Sequence, residues 1–563
     1  MDHDKKIILF GAGQIGKMAL RYFGQDEVHC FVDNNEKLVG KKIHNVPVIS
    51  FLRLKEIYKD YQIVISVDAN NAFSLAAQLE EAGIMQYEMF LKKLQTGSEK
   101  QSAEITVQNQ PALGWEGKNR VLMVAYYFPP LSGSGVFRSI KYAKYLPQLG
   151  WHPTVIATSH PRPAWNYRDE SLIKEIPADV PVIRIPDPIG TFQENFTPEQ
   201  EKQLLEFLEN ILQESKEAHA LYTSFLKSKV DVAKLLVFPC SALLWAYRTV
   251  RYIEATMNIH DFRLIYTTSD PYSTHLVGRY LKHKYGIPWI ADYRDQWTGD
   301  PTKSFDPDKP YDQLFFFLES ILLRNADCNI TAGVSGIIED YISRFQLPEE
   351  KIVSITNGYD EEDFAPFGTG AGQTDRFIIN YSGVTYGGRN IDPILISLQE
   401  LIAEGQIDSG KIQLRFVGDA LENVPERIAK KYNLESIIVQ TGYLTHSEAI
   451  RSNIEANLLL HLVGDDERYR HVLTGKIFDY LRSGRPILSL APLGGDADQL
   501  LRATGHGKAF AGTQIPEIKA MILEEYQKWE RGEDREFLSS PLIKQFERKY
   551  LTGKLVEVFE SIQ

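Results

Sequence analysis

The stretch "HVLTGKIFDYLRSGRPILSL", residues 471–490, joins a helix to a strand and decides the fold, because the same alternation recurs along the chain. Thr474-Gly475 opens the helix, and the apolar run Ile487–Leu490 predicts a buried strand that closes an α/β unit. In open sheets built from such units, ligands bind beyond the carboxyl ends of the strands, where loops meet helix N-termini. We therefore expect functional residues directly after strands and at the starts of helices.

Two charged residues on this helix suit a nucleotide. Lys476 and Asp479 are three residues apart, so their side chains project from one face of the helix. A lysine at a helix N-terminus favours a diphosphate, and a carboxylate one turn further along can accept charge-assisted hydrogen bonds from two ribose hydroxyls. The alternative is an exposed ion pair within the helix, worth about 0.3 kcal/mol.

Alternating strands and helices extend outward from this stretch and predict an α/β protein of several domains. The predicted boundaries are 1–92 for a small Rossmann-like domain, 93–118 for a polar linker, 119–365 and 366–540 for two facing Rossmann-like domains, and 541–563 for a C-terminal helix. Residues 197–256 interrupt the alternation with helical periodicity. This insertion is interpreted as core helices, as a wall of an acceptor site, or as a peripheral membrane contact through its apolar and partly basic end.

Composition excludes several classes of protein. The chain has 563 residues, too many for one hydrophobic core, and its net charge of −12 argues against a nucleic-acid partner. Its three cysteines are far apart and offer neither a disulfide framework nor the spacing of a metal site. The first residues do not resemble a signal peptide, and no apolar stretch reaches the ~20 residues of a membrane-spanning helix. We therefore expect a cytoplasmic enzyme.

Two glycine-rich loops follow predicted strands and suit an anionic ligand. The stretch "AYYFPPLSGSGVFR" (125–138) places Gly133 and Gly135 before a helix, with Arg138 on its first turn. Glycines let backbone N–H groups approach a phosphate, and a guanidinium beside them suits an anion. The alternative is a simple turn between a strand and a helix. The stretch "YSGVTYGGRN" (381–390) follows a strand in the same way and contains Gly383 and Arg389.

A third group of charged residues follows the predicted strand at 289–291. Asp292, Arg294 and Asp295 come directly after this buried segment, with Trp297 beside them. Charged side chains at the carboxyl end of a strand are typical of the floor of a cleft. The alternative is an Arg–Asp pair that only holds a loop in place.

Five motifs in order resemble glycosyltransferase family 4. They are "FPPLSGSGVFR", "TTSDPYSTHLVGRYLKHKYGIPWIADYRDQW", "SITNGYDEEDF", "LRFVGDA" and "TGKIFDYLRSGRPIL". The resemblance covers about residues 119–563. It implies a GT-B fold, in which two Rossmann-like domains face each other, here preceded by the small Rossmann-like domain. It also implies a retaining transferase that uses a UDP- or GDP-linked sugar, needs no metal or other cofactor, and acts on a glycan or lipid-linked acceptor in bacterial surface polysaccharide synthesis.

The resemblance further implies roles for individual residues. Arg389 and Lys476 would neutralise the leaving diphosphate, Asp479 would hold the ribose, and Asp295 would orient or deprotonate the acceptor. The expected donor site comprises Gly133, Gly135, Arg138, Gly383, Arg389, Thr474, Gly475, Lys476 and Asp479.

Two positions depart from the family pattern. His471 stands where the family has the first acid of its Glu-x7-Glu pair, and Arg294 stands where many relatives have a histidine. These departures keep open a second hypothesis, a scaffold that binds a nucleotide sugar without transferring it. An epimerase of the same fold is disfavoured because the sequence offers no matching pair of acids with a catalytic histidine.

The first domain carries the glycine motif "GAGQIG" (11–16). Gly11 suits the turn, Gly13 a close backbone approach and Gly16 helix–strand packing, and Asp33 ends the next strand where a ribose-binding acid is expected. The domain resembles those attached to bacterial sugar acyltransferases and polysaccharide-assembly enzymes. Three interpretations stay open: packing without a ligand, binding of a nucleotide or nucleotide sugar, and, less favoured because the domain is half a dinucleotide fold, a dehydrogenase.

Overall fold

Three mainly parallel β-sheets form the framework of the computed structural model. The structure describes residues 6–67, 75, 78–79, 82–84, 87–90, 105–109, 119–159, 168–187, 197–227, 235–236, 238–240, 242–303, 305–368, 374–383, 390–418, 429–533 and 537–562. Most strands are short apolar runs buried on both faces, the pattern of parallel sheets covered by helices.

The first sheet belongs to the small N-terminal domain. Its elements are β1 (Ile7–Phe10), α1 (Gln14–Phe23), β2 (Val28–Val32), β3 (Lys42–Ile43), β4 (Val46–Ile49), α2 (Phe51–Ile57), β5 (Gln62–Ile65) and β6 (Tyr87–Met89). The strand order is β3-β4-β2-β1-β5-β6, parallel except for the β3–β4 hairpin. The helix predicted at 72–82 lies mostly outside the described residues.

The second sheet is the centre of what we call the front domain. Its elements are β7 (Thr106–Gln108), β8 (Asn119–Ala125), α3 (Ser134–Tyr145), β9 (Trp151–Thr158), β10 (Val182–Ile185), α4 (Pro198–Leu212), α5 (Lys216–Phe225), α6 (Leu243–Thr256), β11 (Leu264–Thr268), α7 (Ser273–Tyr285), β12 (Trp289–Tyr293), α8 (Pro310–Asn325), β13 (Cys328–Thr331), α9 (Ser335–Phe345), β14 (Ile352–Ser354) and α10 (Glu361–Phe364). The strand order is β14-β13-β12-β11-β8-β9-β10-β7. Strands after β8 are added on one side and strands after β11 on the other, so the switch point lies between β8 and β11, and open sheets bind ligands at such a point. Strand β7 lies within the predicted linker and pairs antiparallel with β10.

The third sheet is the centre of the rear domain. Its elements are β15 (Phe377–Ser382), α11 (Asp392–Ala403), β16 (Ile412–Val417), β17 (Ile438–Gln440), α12 (His446–Glu455), β18 (Leu458–Leu462), α13 (Lys476–Ser483), β19 (Ile487–Leu490), α14 (Asp496–Thr504), β20 (Gly507–Phe510), α15 (Ile515–Glu530) and α16 (Arg548–Ser561). The strand order is β17-β16-β15-β18-β19-β20, so the switch point lies between β15 and β18.

The C-terminal helix returns to the front domain. Leu551, Leu555 and Phe559 of α16 are buried in the front-domain core. Where the chain crosses between the domains, the Tyr359 amide donates to the Phe546 carbonyl at 3.1 Å, and the Arg548 amide donates to the Tyr359 carbonyl at 2.8 Å. The two crossing segments are therefore hydrogen-bonded to each other.

The helical insertion between β10 and β11 forms part of the front-domain core. Apolar side chains of α4 and α6 such as Leu204, Leu208, Trp245 and Val250 are buried, which favours the interpretation as core helices. Across the described part of the chain, no helix is both long enough and apolar enough to span a membrane.

Candidate functional site

The N-terminus of α13 in the rear domain brings two predicted donor residues together. A Cβ at Gly383, which follows β15 with a φ of +131°, would overlap the Lys476 ammonium. This ammonium also lies 4.0 Å from the centre of the Tyr381 ring. The Ser382 amide donates to the Tyr480 hydroxyl at 2.8 Å and ties the end of β15 to α13. The Lys476 ammonium thus lies at the N-terminus of α13, in space that a side chain at Gly383 would occupy. Arg389 lies outside the described residues.

The loop before α13 is held by a buried histidine that the sequence did not single out. The His461 ring on β18 is 2.8 Å from the Thr474 hydroxyl through Nε2 and 2.9 Å from the Ser489 hydroxyl through Nδ1. Because His461 is buried, it fixes the Thr474 side chain from beneath the loop. Gly475, the helix cap, follows directly.

Asp479 lies one turn after Lys476 and is half-buried. Burial raises the pKa of its carboxyl to about 6, and the negative charge of Asp363 adds to the increase, while His446, Arg548 and Lys141 oppose it. A carboxyl whose pKa is raised this far by burial and a neighbouring charge is a feature of binding and catalytic sites.

The glycine loop of the front domain lies beneath an arginine. Gly133 has a φ of +127° and precedes α3, and a Cβ at Gly135 would overlap the Arg294 guanidinium. Arg294 pairs with Asp295 at 3.1 Å, and the Asp295 side chain is 63% exposed. Burial lowers the pKa of Arg294, but the charges of Asp295 and Asp270 outweigh this and raise it overall. The end of β12 therefore presents a fixed cation beside the start of α3.

The structure corrects the prediction for Arg138. Its guanidinium is 1% exposed and pairs with Asp292 at 2.6 Å, and it also donates to the Thr356 carbonyl at 2.9 Å. Asp292 is the fourth residue of β12 and is fully buried, so it forms no part of a cleft floor. Both residues stabilise the front-domain core, and Arg138 does not face the glycine loop.

Comparison with solved structures places this arrangement in a known fold. Sucrose-phosphate synthase from Thermosynechococcus elongatus matches 79% of this chain over 99% of its own, with 13% identity and a TM-score of 0.51. A glycosyltransferase from Rickettsia africae matches with the same coverages, identity and TM-score. Anabaena HepE in complex with UDP and glucose matches 79% of this chain over 100% of its own, with 14% identity and a TM-score of 0.50. The chain has the GT-B fold. No protein-family model and no curated protein matches it.

The two domains of this GT-B fold touch across the cleft at two histidines. His446, at the start of α12, lies with its ring centre 4.1 Å from that of Phe137 on α3, and its amide donates to Asp169 at 3.2 Å. His471 lies against Gly336 at the start of α9 and 3.2 Å from Asp496. His471, which the resemblance matches to an acid of family 4, is thus part of an interdomain contact.

A group of acids and lysines that the sequence analysis missed lies beside the first of these contacts. The Lys141 ammonium on α3 is 2.6 Å from Glu175, 2.7 Å from Asp360 and 2.6 Å from Asp363. Asp363 also contacts His446 at 3.2 Å. These acids lie close enough together to suggest a metal site, but Lys141 and Lys144, the latter 3.0 Å from Asp360, supply the positive charge. Through Asp363, the cluster links α3 and α10 of the front domain to α12 of the rear domain.

The N-terminal domain places its predicted residues at one sheet edge. Gly11 has a φ of +115°, and a Cβ at Gly16 would overlap the Gly11 carbonyl, so both glycines are sterically required. Gly13 faces open space. The Asp33 carboxylate accepts hydrogen bonds from the amides of Ala12 and Asn35, each at 2.8 Å. In this structure, Asp33 therefore helps to hold the glycine loop.

Proposed function

We propose that the protein is a retaining glycosyltransferase of the family-4 type, which moves a sugar from a nucleotide-diphosphate sugar to a glycan or lipid-linked acceptor. The observation that carries the proposal is the contact of Lys476 with the Gly383 backbone, with Asp479 one turn further along α13. A diphosphate requires a cation and free amides, and a ribose requires a carboxylate. Anabaena HepE, which shares the fold, has been crystallised with UDP-glucose, so UDP-glucose is the first donor to test.

The proposed chemistry is electrostatic. Breaking the anomeric C–O bond creates negative charge on the departing diphosphate, and donors already fixed in place around that charge lower the barrier. Lys476, Arg389 and the amides of the loop at Gly133 are assigned this role. Asp295, whose side chain is largely exposed, is assigned to orient the acceptor or to accept its proton. Retention would follow from attack on the same face. If Asp295 only orients the acceptor, a leaving phosphate oxygen takes the acceptor proton.

We place this reaction in the synthesis of a bacterial surface polysaccharide or glycolipid, at the cytoplasmic side of the membrane. The assignment rests on the resemblance of the five motifs to family 4. Because the apolar residues of α4 and α6 are buried, any peripheral contact with a membrane would have to use another surface.

A second candidate is a scaffold that binds a nucleotide sugar without transfer. The observation in its favour is His471, which lies against Gly336 and Asp496 where the family has an acid that contacts the sugar. A scaffold would retain the diphosphate and ribose contacts of α13 but would release no product.

For the N-terminal domain we propose a binding or docking role for a nucleotide or nucleotide sugar. Gly13 is open to a ligand. Hydride transfer is the less favoured alternative, because Asp33 is already engaged by two backbone amides and the domain is only half of a dinucleotide fold.

The test combines donor binding with turnover. The full chain is incubated with UDP- and GDP-sugars, and binding is followed by calorimetry and turnover by release of the nucleoside diphosphate. Lys476→Ala and Asp479→Ala should each weaken donor binding about tenfold or more and lose turnover. Lys508→Ala is the matched control, because Lys508 is an exposed lysine on β20 of the same sheet. Tight binding without release would favour the scaffold, and absence of binding to every donor would overturn both candidates.

A further inference from the structure

A polar pocket, separate from the predicted donor site, lies in the front domain at the carboxyl end of β9. It has a volume of about 230 Å³. Its walls include Gln108 of β7, the loop residue Leu131, Ser159 after β9, Arg184 of β10, and Arg168. Leu131 is two residues before Gly133, so the pocket shares a loop with the predicted donor site.

The pocket concentrates positive charge. The Arg184 guanidinium donates to the Gln108 side-chain oxygen at 3.3 Å and to the Pro129 carbonyl, both of which are neutral acceptors. Burial and the nearby charge of Arg168 lower the pKa of Arg184 to about 10, and the charge of Glu170 opposes this decrease. The acid of the pocket, Glu170, pairs with Arg168 at 3.5 Å, and both side chains are more than half exposed.

This arrangement leaves Arg184 without a carboxylate partner among the described residues. A largely buried cation whose hydrogen-bond acceptors Gln108 and Pro129 are both neutral is unfavourable, and a bound anion would relieve that cost. Guanidinium groups bind phosphate and carboxylate oxygens with two parallel hydrogen bonds. Two arginines that line one cavity are therefore suited to a small oxyanion.

We propose that this pocket binds a phosphate or carboxylate group of the acceptor, at a site distinct from the donor diphosphate site at Lys476. The identification of the ligand as the acceptor rests on the proposed transferase function, whereas the binding of an anion does not. An acceptor held here by its anionic group would reach the cleft along the loop from Leu131 to Gly133. The proposal predicts an acceptor that carries either a phosphate or an acidic sugar.

The experiment measures binding to the full chain by ligand-observed NMR, with inorganic phosphate, glucuronate and glucose as probes. It uses Lys476→Ala as the background, so that an anion at the donor site does not contribute. Arg168→Gln and Arg184→Gln should each weaken anion binding by about tenfold or more, since each removes a charge-assisted contact. Arg251→Gln, an exposed arginine on α6 paired with Glu254, is the control and should bind as the background does.

The outcomes distinguish a phosphate from an acidic sugar as the ligand, and they separate the proposed anion pocket from the proposed transferase function. Binding of phosphate alone indicates a phosphorylated acceptor, and binding of glucuronate indicates an acidic sugar. Glucose binding as tightly as the anions, or unchanged anion binding in Arg168→Gln, would overturn the proposal. Arg168→Gln decides the matter if Arg184→Gln fails to fold, because Arg184 also ties β7 to the loop at Pro129. Failure of the transferase function would appear separately, as no release of a nucleoside diphosphate from any UDP- or GDP-sugar by the wild type.

Discussion

Donor binding should depend on pH through the Asp479 carboxyl. If ribose hydroxyls donate to this group, only its ionised form accepts them well. With a pKa of about 6, about one tenth of the carboxyl is ionised at about pH 5 and nearly all at about pH 8. We therefore expect the affinity for UDP-glucose to fall about tenfold between these values as the pH is lowered. Asp479→Asn should weaken binding at about pH 8 by ~10-fold or more, the value of a charged hydrogen bond, and should remove this pH dependence.

The assay is calorimetric titration with UDP-glucose, whose phosphate groups keep their charge across this pH range. His446 is the necessary control, because its positive charge lowers the pKa of Asp479. His446→Gln should therefore move the midpoint to higher pH. The pKa of His446 is itself raised by Asp363 and Asp479 despite its burial. Its protonation favours anion binding at low pH and so opposes the effect of Asp479.

The reasoning fails if the affinity of wild-type protein is flat between about pH 5 and 8, or if Asp479→Asn retains the same pH profile as the wild type. The stability of the protein without donor provides a second test of the direction of the pKa shift of Asp479. A carboxyl whose pKa is raised by folding favours the protonated form, so its contribution to stability falls as the pH rises from about 4 to about 6. Asp479→Asn should remove this component from the pH dependence of the melting temperature.

Three further changes test other parts of the structure. Lys476→Ala should weaken UDP-glucose binding about tenfold or more but leave uridine binding unchanged, because only the diphosphate would contact the ammonium. Calorimetry measures both affinities. Arg138→Met should destabilise the front domain by ~3–5 kcal/mol in urea denaturation, and adding Asp292→Leu should recover much of that loss, since the lone charge is what is costly. Gly16→Val, which would overlap the Gly11 carbonyl, should lower the melting temperature of the first domain in scanning calorimetry. An unchanged melting temperature would show that this position does not require glycine.

Much of the fold can be predicted from the sequence because the central strands are continuous apolar runs. The strand predicted at Ile487–Leu490 is confirmed at both ends as β19, since all four of its residues are buried. The elements that were missed are short and partly exposed. Residues 106–108 lie in a polar stretch without hydrophobic periodicity, which predicts a linker. Thr106 and Val107 are exposed, and only pairing with β10 makes these residues a strand.

The candidate site is predictable only where the ligand-facing groups are local in sequence. Lys476 and Asp479 share one helix turn, so their spacing alone placed them on one face. The prediction for Arg138 was wrong because its partner Asp292 is 154 residues away, beyond the reach of any local pattern. A side chain on the first turn of a helix can also point into the core instead of towards the loop. The contacts of His446 with Phe137 and Asp363 join segments that no local pattern connects.

These interdomain contacts bear on how a GT-B protein would close over its donor. Burial is the largest cause of the raised pKa of Asp479, and the charges of Lys141 on α3 and Asp363 on α10, both in the front domain, also act on it. If the domains separated, the carboxyl would regain water and its pKa would fall towards its ordinary value. Closing over an empty site therefore costs free energy above about pH 6, because an ionised carboxylate loses hydration. Ribose hydroxyls would replace that lost water, so bound donor and domain closure should favour each other.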